Sequence, residues 1–292
     1  MILVNLTIIR NLNTFMKRLT LIGAFGFTLL AFTSCEQDNR VQGCADPFAI
    51  NFSPNILVSD DDGSCVYPPE ERKALLYKVT ATWCPPCGEW GSEVFHEAVD
   101  TTKGDAVVMA IHTSGDPMHN PMTDNFETDY GITGYPTLVV NHESDYSSAG
   151  GIISTVKSFV TEEPTVSAIS ILEIKNNKAY LTAQTRWFAE MTGQVYCSIY
   201  LLEDGIKEPQ ASPDGYIADY VHDYVFRTSA NGEMFGEAVL NGEAWVGKTE
   251  NLSYEVDLDP SWNQNNLYAV TVLWRTGADG YEFLNAYYSV KR

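Results

Sequence analysis

Positive charge is scarce in this chain: 18 lysines and arginines stand against 38 aspartates and glutamates, a formal charge of -20 over 292 residues. A surface that acidic repels phosphate backbones and argues against nucleic acid as a partner. No apolar run reaches the roughly 20 residues that a membrane-spanning helix needs. Histidine is sparse, with five residues, and no H-x3-5-H pair or second C-x-x-C is present to complete a closed zinc site. The P-x-x-x-T-x-x-C arrangement that activates a peroxidatic cysteine is also missing, which counts against a thiol peroxidase. Disorder is a poor description of a chain that is 45% hydrophobic and 12% aromatic.

Six cysteines are present, and two of them organise the chain. Trp83-Cys84-Pro85-Pro86-Cys87 follows an apolar run with strand character, residues 74–81, and precedes a stretch, 88–99, whose Trp90, Val94, Phe95, Ala98 and Val99 recur at helical spacing. Two cysteines three apart at a strand-to-helix junction suit reversible disulfide chemistry. There the helix dipole and unpaired N–H groups stabilise a thiolate, and the second sulfur is within reach to close the bridge. Half a zinc knuckle and a plain structural disulfide are the competing readings, and the redox reading is favoured over both. Metal and cofactor ligands are otherwise not suggested by the pattern.

The first 35 residues read as a targeting segment: basic Lys17-Arg18, an apolar stretch over 19–32, then Ser34-Cys35. Met16 is an alternative start. Phe32-Thr33-Ser34-Cys35 resembles a bacterial lipobox, which implies diacylation of Cys35 and a membrane attachment by lipid anchor; ordinary signal cleavage is the alternative. Residues 36–70 are expected to form a spacer stapled by a Cys44–Cys65 bridge, with 67–71 as a stiff linker. A disulfide there is consistent with an exported protein. Consecutive Asp60, Asp61 and Asp62 admit a calcium-loop reading, but they lack the alternating D-x-D-x-D-G layout, so a solvated acidic turn is preferred.

From residue 71 to 163 strand and helix alternate: a strand at 74–81, a helix after Cys87, a strand at 106–113, a short helix near 122–130, a strand at 137–141 and a helix near 152–160. Gly131-Ile132-Thr133-Gly134-Tyr135-Pro136-Thr137 opens the third strand. Strand, W-C-x-x-C, helix, strand, helix and a proline-threonine strand opening together resemble the thioredoxin pattern. The resemblance implies that Cys84 and Cys87 are catalytic, that Pro136 is cis and lies against the pair, and that Trp83, Tyr135 and Pro136 face the substrate. Lys78 departs from it, standing where that family buries a carboxylate. Pro85 also removes an N–H that could have faced the Cys84 sulfur. His112 and His119 lie where such folds bind ligands, with a structural role for His112 favoured. Glu89, Glu93 and Glu97 read as a solvated helix face.

From residue 164 to 292 alternating segments and turn signals such as Asn176-Asn177 and Asn241-Gly242 predict an all-β sandwich. Cys197 reads as a buried apolar thiol. The stretch from Tyr216 through His222 to Arg227, together with Phe283-Leu284-Asn285-Ala286, resembles the outer-membrane-protein-28-related lipoproteins. That resemblance implies a thioredoxin-like α/β domain followed by an immunoglobulin-like β-sandwich, in an outer membrane lipoprotein of a Gram-negative bacterium, at its periplasmic face or cell surface. His222 and Arg227 are expected to tie strands together, with a place on a binding surface as the alternative. The functional expectation is an exported, lipid-anchored thiol-disulfide oxidoreductase acting on protein disulfides and recharged by an upstream electron donor. Resemblance to periplasmic reductases with W-C-x-P-C favours reduction. The alternative is a non-enzymatic surface lipoprotein with a static disulfide.

Overall fold

The computed structural model describes residues 41–292 apart from Asp145 and Asp279. The targeting segment and the acylated Cys35 expected from the sequence lie outside the described residues. Residues 41–69 carry little regular structure beyond a single 3-10 turn, and Cys44 is bonded to Cys65. Asp61 accepts N–H bonds from Ala45 and Gly63, and Asp62 accepts one from Ser64. These are the bonds of a capped turn.

The chain then alternates strand and helix: β1 (Ala74–Thr80), α1 (Trp90–Thr101), β2 (Ala106–His112), α2 (Thr123–Asp129), β3 (Thr137–Val140) and α3 (Ala149–Phe159). Fully buried β1 and β2 lie side by side in parallel, with β3 antiparallel on the other edge of β1. One-sided apolar spacing explains the helices. Phe95 and Ala98 of α1, with Ile152 and Val156 of α3, pack on Leu76, Val108 and Leu138.

Strands dominate the remainder. Long β4 (Val166–Lys175), β5 (Lys178–Trp187) and β6 (Met191–Glu203) come first. Short β7 (Ile206–Lys207), β8 (Gln210–Ser212), β9 (Gly215–Ile217) and β10 (Val221–His222) follow. The chain ends with β11 (Val225–Ser229), β12 (Glu237–Ala244), β13 (Thr249–Asp257), β14 (Leu267–Gly277), β15 (Gly280–Tyr288) and β16 (Val290–Lys291). Asn176 and Asn177, both at positive φ, make the tight turn between β4 and β5.

The fold class expected from the sequence is corrected here. An α/β thioredoxin-like domain followed by an independent immunoglobulin-like sandwich is not what the strands build. The described chain is mostly β, and one eight-stranded sheet, ordered β15-β14-β6-β11-β2-β1-β3 with β12 also on β6, runs through both halves. The join is at β2, whose outer edge pairs in parallel with β11 through Val225 and Ala110; the Ala110 N–H donates to the Tyr224 carbonyl at 2.7 Å. A buried strand cannot leave one edge of its backbone unbonded, so β2 draws in a strand from far along the chain. The core follows the same logic. Tyr77, Met109 and Phe126 from the first half pack with Tyr200, Phe226, Phe235 and Trp274 from the second in a single cluster. A second sheet, β13-β5-β4-β16, covers part of the large one, with Leu172, Leu181 and Ala183 meeting Ile199, Leu201 and Ala269. Residues 41–292 accordingly make one compact unit. No helix among the described residues is long and apolar enough to cross a membrane.

Candidate dithiol site and its clamp

Cys84 and Cys87 are joined by a disulfide just beyond the end of β1. The local geometry differs from a cysteine set on an α-helix N-terminus. Pro85–Gly88 form a 3-10 turn capped by Cys84, and α1 begins only at Trp90, after a break in the backbone at Glu89. The prolines suit the first positions of the turn, whose N–H groups lack partners in any case. With the α-helix dipole set back, the direct donor to sulfur is the Cys87 N–H, 3.3 Å from Cys84 Sγ. A hydrogen bond of this kind stabilises a thiolate.

Both cysteines are nearly buried, at 4% and 3% exposure, and pack with Ala81 and Tyr135. Trp83, by contrast, is 45% exposed, and its ring meets that of Tyr135 edge to face at 5.9 Å. The Tyr135 hydroxyl is held 2.6 Å from both Glu127 Oε2 and Thr113 Oγ1; burial and the Glu127 carboxylate raise its pKa. The Tyr135–Pro136 peptide is cis. Pro136 lies against the first turn of α1, where a Cβ on Gly91 would come within 2.4 Å of its ring, so glycine is needed for the approach. Trp83, Cys84, Cys87, Tyr135 and Pro136 thus share one neighbourhood.

Residues from the second half complete it. The Ala211 N–H donates to the Thr82 carbonyl at 2.7 Å. The buried Gln210 amide donates to the carbonyls of Ala81 and Cys84 at 3.1 and 3.2 Å. A Cβ on Gly88 would stand 2.2 Å from the Ala211 oxygen, so this strand can seat only on a glycine. On the Cys87 side, Ser92 Oγ donates to the Cys87 carbonyl at 2.9 Å, and the Tyr220 hydroxyl meets Ser92 at 2.7 Å. Segment 210–222 therefore clamps the backbone of both cysteines. Sequence reasoning missed the role of Gln210, because a polar residue 126 positions from Cys84 leaves no periodic trace, and it gave no role to the hydroxyls of Ser92 and Tyr220.

Behind the clamp lies a buried polar cluster. His112 Nδ1 is 3.1 Å from Asp116 Oδ1. Its ring packs edge to face on His222 at 5.3 Å. His222 in turn meets the Glu208 carbonyl at 3.1 Å. Burial, and then the neighbouring His112, lower the His222 pKa to about 4, and burial likewise lowers that of His112. Burial acts to raise the Asp116 carboxyl, but His112 and the N–H groups of Thr82 and Met118 outweigh it and hold it well below the usual range. Lys78, only 8% exposed, lies 4.7 Å over the Phe95 ring; burial brings its pKa down to about 8 against the opposing pull of Asp223. His119 is apart from this cluster, paired with Asp124. Arg227 binds Glu203 within the second half. Cys197 is a buried free thiol whose pKa is pushed up to about 12 by burial, and Glu89, Glu93 and Glu97 are exposed. The one grouping of metal-type ligands among the described residues, Cys44, Asp61 and Cys65, has both sulfurs committed to a disulfide.

No curated protein matches this chain. Among solved structures, HBP35 of Porphyromonas gingivalis superposes with a TM-score of 0.64 over 76% of each chain, at 16% identity, which is a likeness of fold. A domain of the outer membrane lipoprotein Omp28 from the same organism aligns over 44% of this chain and 91% of its own, at 14% identity and a TM-score of 0.31, too loose to compare folds. The sequence model of the family described as outer membrane protein Omp28 matches residues 123–285, which begins downstream of the cysteine pair and includes the clamp. Spanning more than half of the chain, that match makes this protein a member of the Omp28 family, at the outer membrane.

Proposed function

We propose that this protein is a thiol-disulfide oxidoreductase, held at the outer membrane through an acylated Cys35, that acts on disulfides of other exported proteins. The observation that carries the reading is the Cys84–Cys87 disulfide itself, with the Cys87 N–H directed at Cys84 Sγ and an exposed tryptophan beside it. In the reduced enzyme the Cys84 thiolate attacks one sulfur of a substrate disulfide, forming a mixed disulfide and releasing the other substrate sulfur as a thiolate. Cys87, as thiolate, then attacks Cys84 Sγ. The second substrate sulfur leaves, and the bridged pair remains. Two electrons have passed to the substrate, whose thiolates take up two protons, and an upstream dithiol protein returns the pair to its reduced form by the same exchange.

Insulin-type turnover tests the activity. Wild type should reduce the interchain disulfides with dithiothreitol as the donor, Cys84→Ser should be inactive, and Cys87→Ser should trap the mixed disulfide. Wild type no faster than dithiothreitol alone would leave a static disulfide in a binding protein.

A further inference from the structure

The segment that clamps the dithiol has an outer side that the clamp does not use. Its inner side is fully accounted for: Gln210 and Ala211 are buried and bonded to the Thr82–Cys84 backbone, and Tyr220 reaches Cys87 through Ser92. Residues 213–219 between them are all exposed. Tyr216 is 72% exposed and Ile217 42%, with Val221 at 44% just beyond and Trp83 at 45% on the dithiol turn. In the hairpin register Ile217 stands opposite Gln210 and Tyr216 opposite Ala211, so β9 runs one strand beyond the strand that touches the cysteine turn. That spacing is about 5 Å.

Two features of this edge select a polypeptide over a small thiol. First, β9 pairs with β8 alone among the described residues, so its outer backbone groups are open to an added strand, the means by which sheet edges hold extended peptides. Second, Tyr216 and Ile217 are exposed apolar side chains on the hairpin whose first strand bonds to the Thr82 and Cys84 carbonyls, with exposed Val221 just beyond and exposed Trp83 on the dithiol turn itself. A turn serving only as a clamp would need neither. Charge narrows the partner further. Asp214 and Asp219 lie in the segment and Glu89 and Glu93 on the adjoining turn and helix, all exposed, on a chain of net charge -20. Such a rim disfavours acidic partners, including glutathione, and suits apolar and basic ones.

We infer that β9 and its flanking Tyr216, Ile217 and Val221 are the docking edge for an extended, apolar-to-basic segment of a substrate protein, presenting its disulfide to Cys84. This rests on the exchange activity proposed above and names the class of substrate for it. The family match covers these residues but assigns them no role.

The test measures docking and exchange separately, on the full-length protein with the pair oxidised. A fluorescein-labelled linear peptide rich in leucine and lysine, with serine in place of cysteine, is titrated and followed by anisotropy; a second peptide carries aspartate in place of lysine. Wild type should bind the basic peptide at least tenfold more tightly than the acidic one. The Tyr216→Ser/Ile217→Ser variant, both positions being exposed, should lose at least tenfold in affinity while keeping its thermal midpoint. Asp214→Ser/Asp219→Ser should narrow the preference for the basic peptide. Equal affinity of wild type and Tyr216→Ser/Ile217→Ser, or no binding by wild type, overturns the docking edge. Turnover of neutral 2,2′-dithiodipyridine by the reduced wild type reports on exchange alone, so failure there removes the oxidoreductase reading without touching the binding result.

Discussion

Replacing Lys78 by methionine should stabilise this protein at neutral pH and abolish a rise in its stability at alkaline pH. The Lys78 ammonium is held on a fully buried strand at 8% exposure, and its pKa falls from 10.5 to about 8 because burial penalises the charged form. Carrying the charge into the fold at pH 7 therefore costs about 3 kcal/mol. The contact with the Phe95 ring at 4.7 Å is already contained in that net cost, and imperfect packing of a replacement side chain takes back about 1–2 kcal/mol of it. Methionine has a similar length and fits the apolar surroundings, so Lys78→Met should gain about 1–2 kcal/mol at pH 7. The folded pKa lies below the unfolded one, so between about pH 8 and 10.5 the unfolded chain binds more protons. Wild-type stability should rise with pH through that window, and the advantage of the variant should shrink there. Urea unfolding at pH 7 and pH 9.5, with disulfides kept intact, measures both differences. A variant less stable than wild type at pH 7, or a difference that does not change with pH, would refute this account of Lys78.

Other consequences follow from the same structure. Acidification should destabilise the fold: the pKa values of His112 and His222 are lowered by burial, so from about pH 6.5 down towards 4 the unfolded chain takes up protons the native state resists. His222→Gln should flatten that slope in urea titrations across pH 4–7. Gly88→Ala should cost on the order of 2 kcal/mol or more and expose the clamp to proteolysis, because a methyl there cannot coexist with the Ala211 oxygen at 2.2 Å. Cys44→Ser/Cys65→Ser, opening a bridge across 21 positions, should remove about 3 kcal/mol of local constraint, read as rapid proteolysis of residues 41–66 with the rest of the chain protected.

How far the sequence announces this structure depends on the range of the interactions. The apolar run that becomes β1, the helical spacing of Phe95 and Ala98, and the Asn176-Asn177 turn act over a few residues and were legible. The proline expected to be cis is so, and Trp83 and Tyr135 meet beside the cysteine pair. What periodicity does not encode is which strand fills the open edge of β2. A single parallel register point, Val225 on Ala110, merges two expected domains into one sheet. The start of α1 also moved, because Pro85, Pro86 and the break at Glu89 favour a 3-10 turn before the helix. The clamp was illegible for the same reason as the sheet join. Gln210 and Ser92 act on backbone carbonyls, which any sequence possesses, and Tyr220 reaches the pair only through Ser92.

The central claim is that Cys84–Cys87 is a working couple, and its equilibrium redox potential tests this most directly. The full-length protein would be equilibrated in glutathione and dithiothreitol buffers and followed by thiol trapping, with the fluorescence of nearby Trp83 as a second signal. A reversible couple between roughly -270 and -120 mV is the expected result, in the range of catalytic dithiols. A bridge that stays closed below about -300 mV would behave as a structural disulfide and contradict the oxidoreductase account.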